Sequence, residues 1–380
     1  MAETFTAEIV DATSKIDAAA WNALVAATDP HANPFLDHAF FLALEESGCA
    51  TRRTGWSPRH VVLRDGPEIV GLMPLYEKTH SQGEYVFDHG WANAFEQAGG
   101  RYYPKLQSSV PFTPVTAPKL LTQGGEVERT ALLSAAEALA SDRDISSIHA
   151  TFIPEAEAGL AADSQWLVRT DTQYHWHNAG FSSFDDYLET MSSRHRKITR
   201  RERRDATEGL VIRWLTGTDL TEGVWDAFFE FYQDTGNRKW GRPYLNRAFF
   251  SLLSAAMADR IVLMFAYDGP TPIAGTLNML GNDRLYGRYW GATRNVPFLH
   301  FELCYYQAID FAIARGLAVV EAGAQGEHKL ARGYVPTTTY SAHWIGHPGL
   351  RDAIARFLRQ ERAAVEREQA ALSELTPFKH

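Results

Sequence analysis

The sequence predicts an α/β protein built from two consecutive copies of one unit, each a mixed, twisted sheet flanked by helices. Three observations favour this fold class. A strand–helix–strand pattern near the C-terminus indicates two parallel strands, and segments of the first half recur in the same order in the second half. In addition, short apolar strands alternate with amphipathic helices along the whole chain, which is typical of layered sheet-and-helix domains.

The strand–helix–strand pattern begins at Arg284. Leu285–Trp290 is a short aromatic segment typical of a strand, Phe298–Arg315 carries apolar residues at helical spacing, and Leu317–Ala322 is a second apolar strand. Gly316 follows the helix as a stop signal. A crossover of this length joins parallel strands, and ligands bind beyond the carboxyl ends of such strands. We therefore expect the active site at this crossover.

The internal repeat rests on three ordered matches between the halves. Because the offset between matching segments changes only slowly, we infer a tandem duplication with a boundary near residues 178–190. The predicted domains are 1–182 and 183–380. The third match also predicts a strand over Glu84–His89. The matches are AFF at 39–41 with AFF at 248–250, DGPEIVGLMPL at 65–75 with DGPTPIAGTLNM at 268–279, and EYVFDHGWAN at 84–93 with RLYGRYWGAT at 284–293.

The bulk composition is that of an ordinary globular protein, with 45% hydrophobic and 22% charged residues. The N-terminus lacks the basic and apolar regions of a signal peptide, and no apolar run reaches membrane-spanning length, so we expect a cytoplasmic protein without a membrane span. Cys49 and Cys304 are too few for a disulfide framework or a zinc cage. A net charge of −9 argues against general coating of nucleic acid, although a local basic patch remains compatible with it.

Several long motifs together resemble a known family over about residues 30–375. The order of elements in each half resembles the GNAT acyltransferase fold, and two such halves resemble the Fem-type aminoacyl transferases of peptidoglycan precursor synthesis. The greatest likeness is to the FemAB-like family of predicted N-acyltransferases. The motifs are HSQGEYVFDHGWANAF (80–95), YYPKLQSSVPFTPV (102–115), QYHWHN (173–178), SRHRKITRRER (193–203), LYGRYWG (285–291), LHFELCYYQ (299–307), EAGAQGEHKLARGYVP (321–336) and SAHW (341–344).

This resemblance implies transfer of an acyl or aminoacyl group to a small-molecule or peptide amine, by direct attack and without a covalent enzyme intermediate. It implies no tightly bound cofactor and a donor that is either aminoacyl-tRNA or acyl-CoA. GNAT proteins that use acetyl-CoA usually carry Q/R-x-x-G-x-G/A, whose backbone amides hold the pyrophosphate. The corresponding segment here, GATRNVPFLH (291–300), has one glycine and a proline, which favours a Fem-like donor. The alternatives are an ordinary acyl-CoA-dependent N-acetyltransferase and a non-catalytic protein that binds a cell-wall precursor.

Segment 321–334 carries the residues predicted to be catalytic. Transfer to an amine needs a base that accepts a proton and a donor that stabilises the oxyanion. Glu321 or His328 is the predicted base, while Lys329 and Arg332 are predicted to bind an anionic donor or acceptor; the alternative is a structural loop with surface charges. The substrate-contacting residues predicted at this end of the sheet are Arg288, Trp290, His300, Glu302, Gln325 and Arg332. For four of these, Arg288, Trp290, His300 and Glu302, helix capping and an aromatic core are the alternative.

Two further groups are predicted to contact substrate. Glu84, Asp88, Tyr103 and Lys105 combine acidic and aromatic residues that suit a cationic amine acceptor, although a purely architectural first half is the alternative.

A basic helix forms the second group. The segment Arg194–Arg204 holds seven Lys or Arg residues, and Arg196 and Arg200 fall on one helical face, so this segment suits the phosphates of tRNA. The alternative is a solvated face whose charges pair with Asp185, Asp186, Glu189 and Glu202.

His175 and His177 alternate on a predicted strand, but no third ligand lies at a suggestive spacing, so no metal site is predicted.

Overall fold

The computed structural model describes residues 5–239, 243–323 and 326–379. It divides into two compact units: the first contains Met1–Asp171 and Thr338–Arg367, and the second contains Thr172–Thr337 and Glu368–His380. This division differs from the two consecutive segments expected from the sequence, because Thr338–Arg367 groups with the first unit.

The strands follow in chain order. They are β1 (Thr6–Val10), β2 (Trp56–Pro58), β3 (His60–Asp65), β4 (Glu68–Met73), β5 (Tyr76–Lys78), β6 (Lys105–Ser108), β7 (Leu121–Thr122), β8 (Ser147–Ile153), β9 (Leu167–His177), β10 (Val211–Leu215), β11 (Ile261–Asp268), β12 (Thr271–Leu280), β13 (Arg284–Ala292), β14 (Val319–Glu321) and β15 (Val335–Ile345).

The helices are α1 (Ala18–Thr28), α2 (His38–Glu46), α3 (His89–Gln97), α4 (Glu126–Asp142), α5 (Glu155–Asp163), α6 (Phe184–Glu189), α7 (Ser193–Thr207), α8 (Glu222–Lys239), α9 (Arg247–Met257), α10 (Leu299–Phe301), α11 (Gln307–Arg315) and α12 (Pro348–Ser373). A π-helical turn, Glu302–Tyr306, joins α10 to α11, and we call 299–315 the crossover helix. The basic segment Arg194–Arg204 lies within α7, which Ser192 caps, and Ser183 caps the preceding helix α6.

The second unit contains the predicted crossover. Strands β10, β11, β12 and β13 pair antiparallel in chain order, and β13 then pairs with β14 in parallel, as the sequence predicts. The crossover helix covers this sheet and buries Leu303, Ile309 and Ala312 with Leu285 and Val320 of the two parallel strands. The helix therefore fixes the positions of the strand ends beside it.

The first unit repeats this arrangement on a different set of residues. Strands β1, β3, β4 and β7 form one antiparallel sheet, while β6 and β8 pair in parallel within a second sheet. Helix α4 lies between β7 and β8 in the chain and buries Leu132 and Ala136 against the same core as Ile148 of β8. Both units thus contain a parallel pair preceded by antiparallel hairpins.

Two of the three repeat matches are confirmed and the third is wrong. The AFF segments lie in α2 and α9, and the two DGP segments form the β3–β4 and β11–β12 hairpins. However, Glu84–His89 forms no strand. Gly83 and Tyr85 have φ angles of 80° and 59°, which interrupt an extended chain, and α3 begins at His89. The parallel partner of β8 in the first unit is instead β6.

Among the residues that the structure describes, no helix is both long and apolar enough to cross a membrane.

Candidate active site

The two parallel strands of the second unit separate at the point where the sequence places the site. Strand β14 ends at Glu321, which pairs with Tyr286, whereas β13 continues to Ala292. The pairing of β12 with β13 also shifts register next to Gly287, which places a bulge in β13 just beyond Tyr286. Strand β13 therefore extends beyond Tyr286, the last residue in its described pairing with β14.

Glu321 lies at this separation point with a side chain that is only 2% exposed. One carboxylate oxygen accepts a bond from Arg284 Nη1 at 3.4 Å, and the other lies 3.5 Å from Arg288 Nη2. Burial lowers the pKa of Arg288, and the Glu321 charge opposes that effect. Because its carboxylate contacts two guanidinium groups, Glu321 fixes the direction of both arginines.

His328 is the exposed member of the predicted catalytic group. Its Nε2 is 2.9 Å from the hydroxyl of Tyr305, which lies on the π-helical turn. The ring centroid of His328 is 5.5 Å from that of Phe301 and 6.2 Å from that of His300. The contact with Tyr305 fixes the orientation of the imidazole ring.

Lys329, the neighbouring residue, is buried with 2% exposure. Its ammonium group donates to the carbonyl oxygen of Gly323 at 2.9 Å and lies 5.5 Å from the ring centre of Tyr174. Burial lowers the pKa of Lys329 to about 7, with Cys304 opposing that shift and Arg288 adding to it. Lys329 therefore loses its charge far more readily than an exposed lysine.

Arg332 is predicted to bind an anionic ligand, but its guanidinium is engaged within the protein. Nη1 donates to the carbonyl of His328 at 2.7 Å and Nη2 donates to Glu202 at 2.7 Å. The guanidinium carbon lies 3.5 Å from the ring centre of Phe301. Arg332 thus holds the loop of His328 against the crossover helix.

Glu302 also has an internal partner. Its side chain is 1% exposed, and its two oxygens accept bonds from Arg203 at 3.0 and 3.1 Å. Gln307 donates to the same carboxylate at 2.7 Å. Glu302 therefore joins the crossover helix to α7, which corresponds to a structural role rather than to the predicted contact with substrate.

A pocket of about 350 Å³ lies where β13 ends and the crossover helix begins. Trp290 and His300, both predicted from the sequence, contribute to its wall, and their rings meet edge to face with centroids 5.2 Å apart. Phe298 and Phe301 also line the pocket, although they are not among the residues predicted to contact substrate; the apolar residues on both sides of Pro297 were the available signal. The full lining is Trp290, Ala292, Arg294, Asn295, Val296, Pro297, Phe298, Leu299, His300 and Phe301.

In the first unit, the predicted acceptor residues meet, but they contact one another. Lys105 Nζ donates to Glu84 at 2.6 Å and to Asp88 at 2.5 Å, and all three side chains are at most 2% exposed. Lys78 lies 3.4 Å from Glu84, and Tyr103 reaches the cluster through Ser81. The place expected for a cationic amine is therefore filled by the chain's own ammonium groups, which favours the architectural alternative.

The basic helix α7 is largely paired with acidic side chains. Arg196 pairs with Glu189, and Arg200 lies 3.2 Å from Asp185. This pairing favours the alternative of a neutralised face, and it leaves less positive charge for phosphates.

Two remaining predictions have limited outcomes. Gln325 lies outside the described residues. His175 and His177 have ring centroids 6.4 Å apart, and burial lowers the pKa of both. Within 5–239, 243–323 and 326–379, no group of three or more His, Cys, Asp or Glu side chains is arranged to hold a metal ion.

Comparison with known proteins identifies one family model. The model described as FemAB-like, peptidoglycan biosynthesis/recognition, matches residues 12–380. No curated protein sequence matches the chain at a significant level.

Solved structures share the fold at low identity. FemX is 12% identical, with 90% of this chain and 98% of that chain covered and a TM-score of 0.55. L-PGS from Bacillus licheniformis is 10% identical, with coverages of 86% and 98% and a TM-score of 0.51. The C-terminal domain of a putative lysylphosphatidylglycerol synthetase from Agrobacterium fabrum is 9% identical, with coverages of 92% and 97% and a TM-score of 0.53.

Proposed function

Because the chain belongs to the FemAB-like family, we propose that it is an N-acyltransferase that moves an acyl or aminoacyl group from an activated donor to an amine. The observation that carries this proposal is that β14 ends at Glu321 while β13 continues, with a pocket at the C-terminal end of β13. An activated carbonyl placed along β13 would lie next to polar backbone groups and within reach of an approaching amine.

His328 is the proposed general base. The amine nitrogen attacks the carbonyl carbon, a C–N bond forms, and His328 accepts the proton that the nitrogen loses. The bond from the carbonyl carbon to the donor oxygen or sulfur then breaks, and the leaving group takes up a proton. Tyr305 orients the imidazole, since its hydroxyl is 2.9 Å from Nε2. We assign Arg288 to positioning the donor carbonyl. Glu321 fixes the direction of the Arg288 guanidinium.

Aminoacyl-tRNA is the proposed donor, and acyl-CoA is the alternative. A pyrophosphate loop needs several free backbone amides. In the loop after β13, the amide of Thr293 donates to Ile273 and the amide of Leu299 donates to Val296, while Pro297 has no amide proton. This use of the loop amides supports a donor that does not require a pyrophosphate cradle. The acceptor is proposed to be a peptide amine, in keeping with the peptidoglycan description of the family.

The test offers two donors to the full-length protein with a lysine-containing peptide as acceptor. Bulk tRNA charged with a mixture of radiolabelled amino acids is expected to label the peptide, and acetyl-CoA is not. His328→Gln is expected to lower the rate by about 10²- to 10⁴-fold, the usual contribution of a general base. His89→Gln, which changes an exposed histidine of the first unit, is the matched control and should retain full activity.

The two other outcomes correct the proposal in different ways. Labelling by acetyl-CoA alone would replace the donor with acyl-CoA. Saturable binding of the peptide without transfer from either donor would replace the enzyme with a binding protein.

A further inference from the structure

Resting on the proposed function, we infer that the pocket at the start of the crossover helix selects the transferred group. It takes an uncharged aromatic or branched aliphatic side chain and disfavours a cationic one. This assignment follows from the chemistry of the wall, its size, its charge and its position beside His328.

The wall is predominantly apolar. Trp290 comes from the C-terminal end of β13, whereas Val296, Phe298, Leu299 and Phe301 come from the loop and the first turn of the crossover helix. Contacts with such side chains stabilise an apolar group by removing its surface from water. The aromatic rings in particular favour a flat or branched occupant.

The size of the pocket suits a large side chain. Its volume is about 350 Å³, whereas a cavity of about 150 Å³ already accommodates benzene. A methyl group would leave much of this apolar wall facing water, so a small occupant would gain little from binding there. The volume therefore favours side chains such as those of phenylalanine and leucine over those of glycine and alanine.

The charges around the pocket act against a cation. The described residues that line the pocket include no acidic side chain, and Arg294, which is half exposed, pairs with Asp268 outside the pocket. The guanidinium carbon of Arg332 lies 3.5 Å from the ring centre of Phe301. A second cation in the pocket would be repelled by these two arginines, and it would find no carboxylate partner among the lining residues that the structure describes.

The position of the pocket links it to the reacting group. Trp290 follows Arg288 by two residues on β13, and its ring contacts His300, whose own centroid is 6.2 Å from that of His328. A side chain in the pocket would thus belong to the donor group whose carbonyl lies along β13. The crossover helix contributes part of the pocket wall, and its residue Tyr305 contacts the proposed base, His328.

The test measures binding of small amides to the full-length protein by isothermal titration and by ligand-observed NMR. The probes are the N-acetyl amides of phenylalanine, leucine, glycine and lysine. The phenylalanine and leucine amides are expected to bind at least about tenfold more tightly than the glycine and lysine amides. Equal or tighter binding of the lysine amide would overturn the inference, as would the absence of saturable binding of both apolar amides up to about 10 mM.

Variants locate the binding within the pocket. Trp290→Ala and Phe298→Gly are each expected to weaken binding of the phenylalanine amide by about tenfold. Phe298 has a φ angle of 61°, a conformation that glycine adopts without strain, so Phe298→Gly removes the ring without endangering the fold. Trp214→Ala, which changes a tryptophan of β10, is the matched control. Unchanged affinity in both pocket variants would overturn the assignment.

Turnover separates this inference from the function on which it rests. Transfer that proceeds equally well with lysyl and phenylalanyl groups would overturn the selectivity and keep the acyltransferase. Selective binding of the apolar amides without transfer to any amine would retain the pocket assignment and overturn the acyltransferase.

Discussion

Arg203 of α7 and Glu302 of the crossover helix form a two-point ion pair across 99 positions of the chain. Nε and Nη2 of Arg203 donate to the two carboxylate oxygens at 3.1 and 3.0 Å, and Nη2 also reaches Asp310 at 2.5 Å. The preceding residue, Glu202, accepts a bond from Arg332. Two consecutive residues of α7 therefore hold both the crossover helix and the loop that carries His328.

Removing Glu302 is expected to destabilise the second unit. Glu302→Ala would leave Arg203 with Asp310 alone, and loss of one partner of a buried ion pair costs about 3–5 kcal/mol in free energy of unfolding. Because Arg203 is 22% exposed, we expect the lower end of this range, about 3 kcal/mol. Urea denaturation followed by circular dichroism measures the change.

The control for this ion pair is Arg201→Ala. Arg201 lies on the same helix, but its side chain is 68% exposed and it pairs with Asp205 four residues away. A change within about 0.5 kcal/mol is expected, as for most surface substitutions. Equal effects of the two substitutions would contradict the structural role of Glu302.

The buried ammonium group of Lys329 predicts a rise in stability with pH. Burial lowers the pKa of Lys329 to about 7, whereas a lysine in an unfolded chain has a pKa near 10.4. Between these values, the unfolded chain binds a proton that the folded chain does not. Raising the pH from 7 to 10 is therefore expected to add up to about 1.4 kcal/mol of folding free energy per pH unit from this residue.

Lys329→Met tests that contribution. The variant should lose part of the dependence of unfolding free energy on pH between 7 and 10, measured by urea denaturation at several pH values. Lys197→Met, which changes an exposed lysine of α7, should keep the full dependence. An unchanged slope in Lys329→Met would mean that the folded protein keeps this proton.

The histidine pair of the first unit predicts loss of stability in acid. His149 Nδ1 lies 2.7 Å from His343 Nδ1, an arrangement that requires one nitrogen to donate and the other to accept. Burial lowers the pKa of His149 to about 3 and also lowers that of His343. Between pH 6.5 and 3, the unfolded chain binds protons that the folded chain excludes, so stability should fall as the pH falls through this range.

The slope should reach about 2.7 kcal/mol per pH unit when both histidines are protonated only on unfolding. Replacing one of them by His343→Gln, which can still hydrogen-bond to His149, should reduce the slope. Urea midpoints at pH 7, 6 and 5 measure it. His347→Gln changes an exposed histidine and is the control; a slope that is equal in both variants would contradict the prediction.

Gly291 of β13 is expected to tolerate no side chain. A Cβ atom at this position would lie 1.9 Å from the carbonyl oxygen of Phe231 on α8, and a backbone atom has little freedom to move away. Gly291→Ala should therefore lower the unfolding free energy by about 3 kcal/mol or more, or prevent folding. Thermal unfolding and expression yield report this effect.

Gly223→Ala is the control substitution. Gly223 lies on α8, the helix that Gly291 approaches. A Cβ at Gly223 would meet only the hydroxyl of Thr221 at 3.9 Å, which is ordinary contact. Because alanine favours a helix over glycine, this substitution should be neutral or stabilise by up to about 1 kcal/mol. Similar losses at both positions would show that the close approach of α8 to β13 is not the cause.

Local patterns predicted those parts of the site that depend on a single element. The parallel crossover was predicted from an aromatic strand, an amphipathic helix and a glycine stop. Trp290 and His300 were predicted because they lie where the strand ends and the helix begins. The strand predicted over Glu84–His89 is wrong. Its aromatic residues suggested a strand, but they give no sign of the positive φ angles at Gly83 and Tyr85. The sequence does not indicate β6, because three of its four buried residues, Lys105, Gln107 and Ser108, are polar.

The sequence by itself determined the fold class, the two hairpins and the crossover, because apolar periodicity and turn residues act between near neighbours in the chain. Only the tertiary structure decided which charges are used within the protein. Arg332 and Glu202 are 130 positions apart, and Lys105 and Glu84 meet only when two segments pack together. A buried charge requires a partner, and the identity of that partner depends on distances that no local pattern contains.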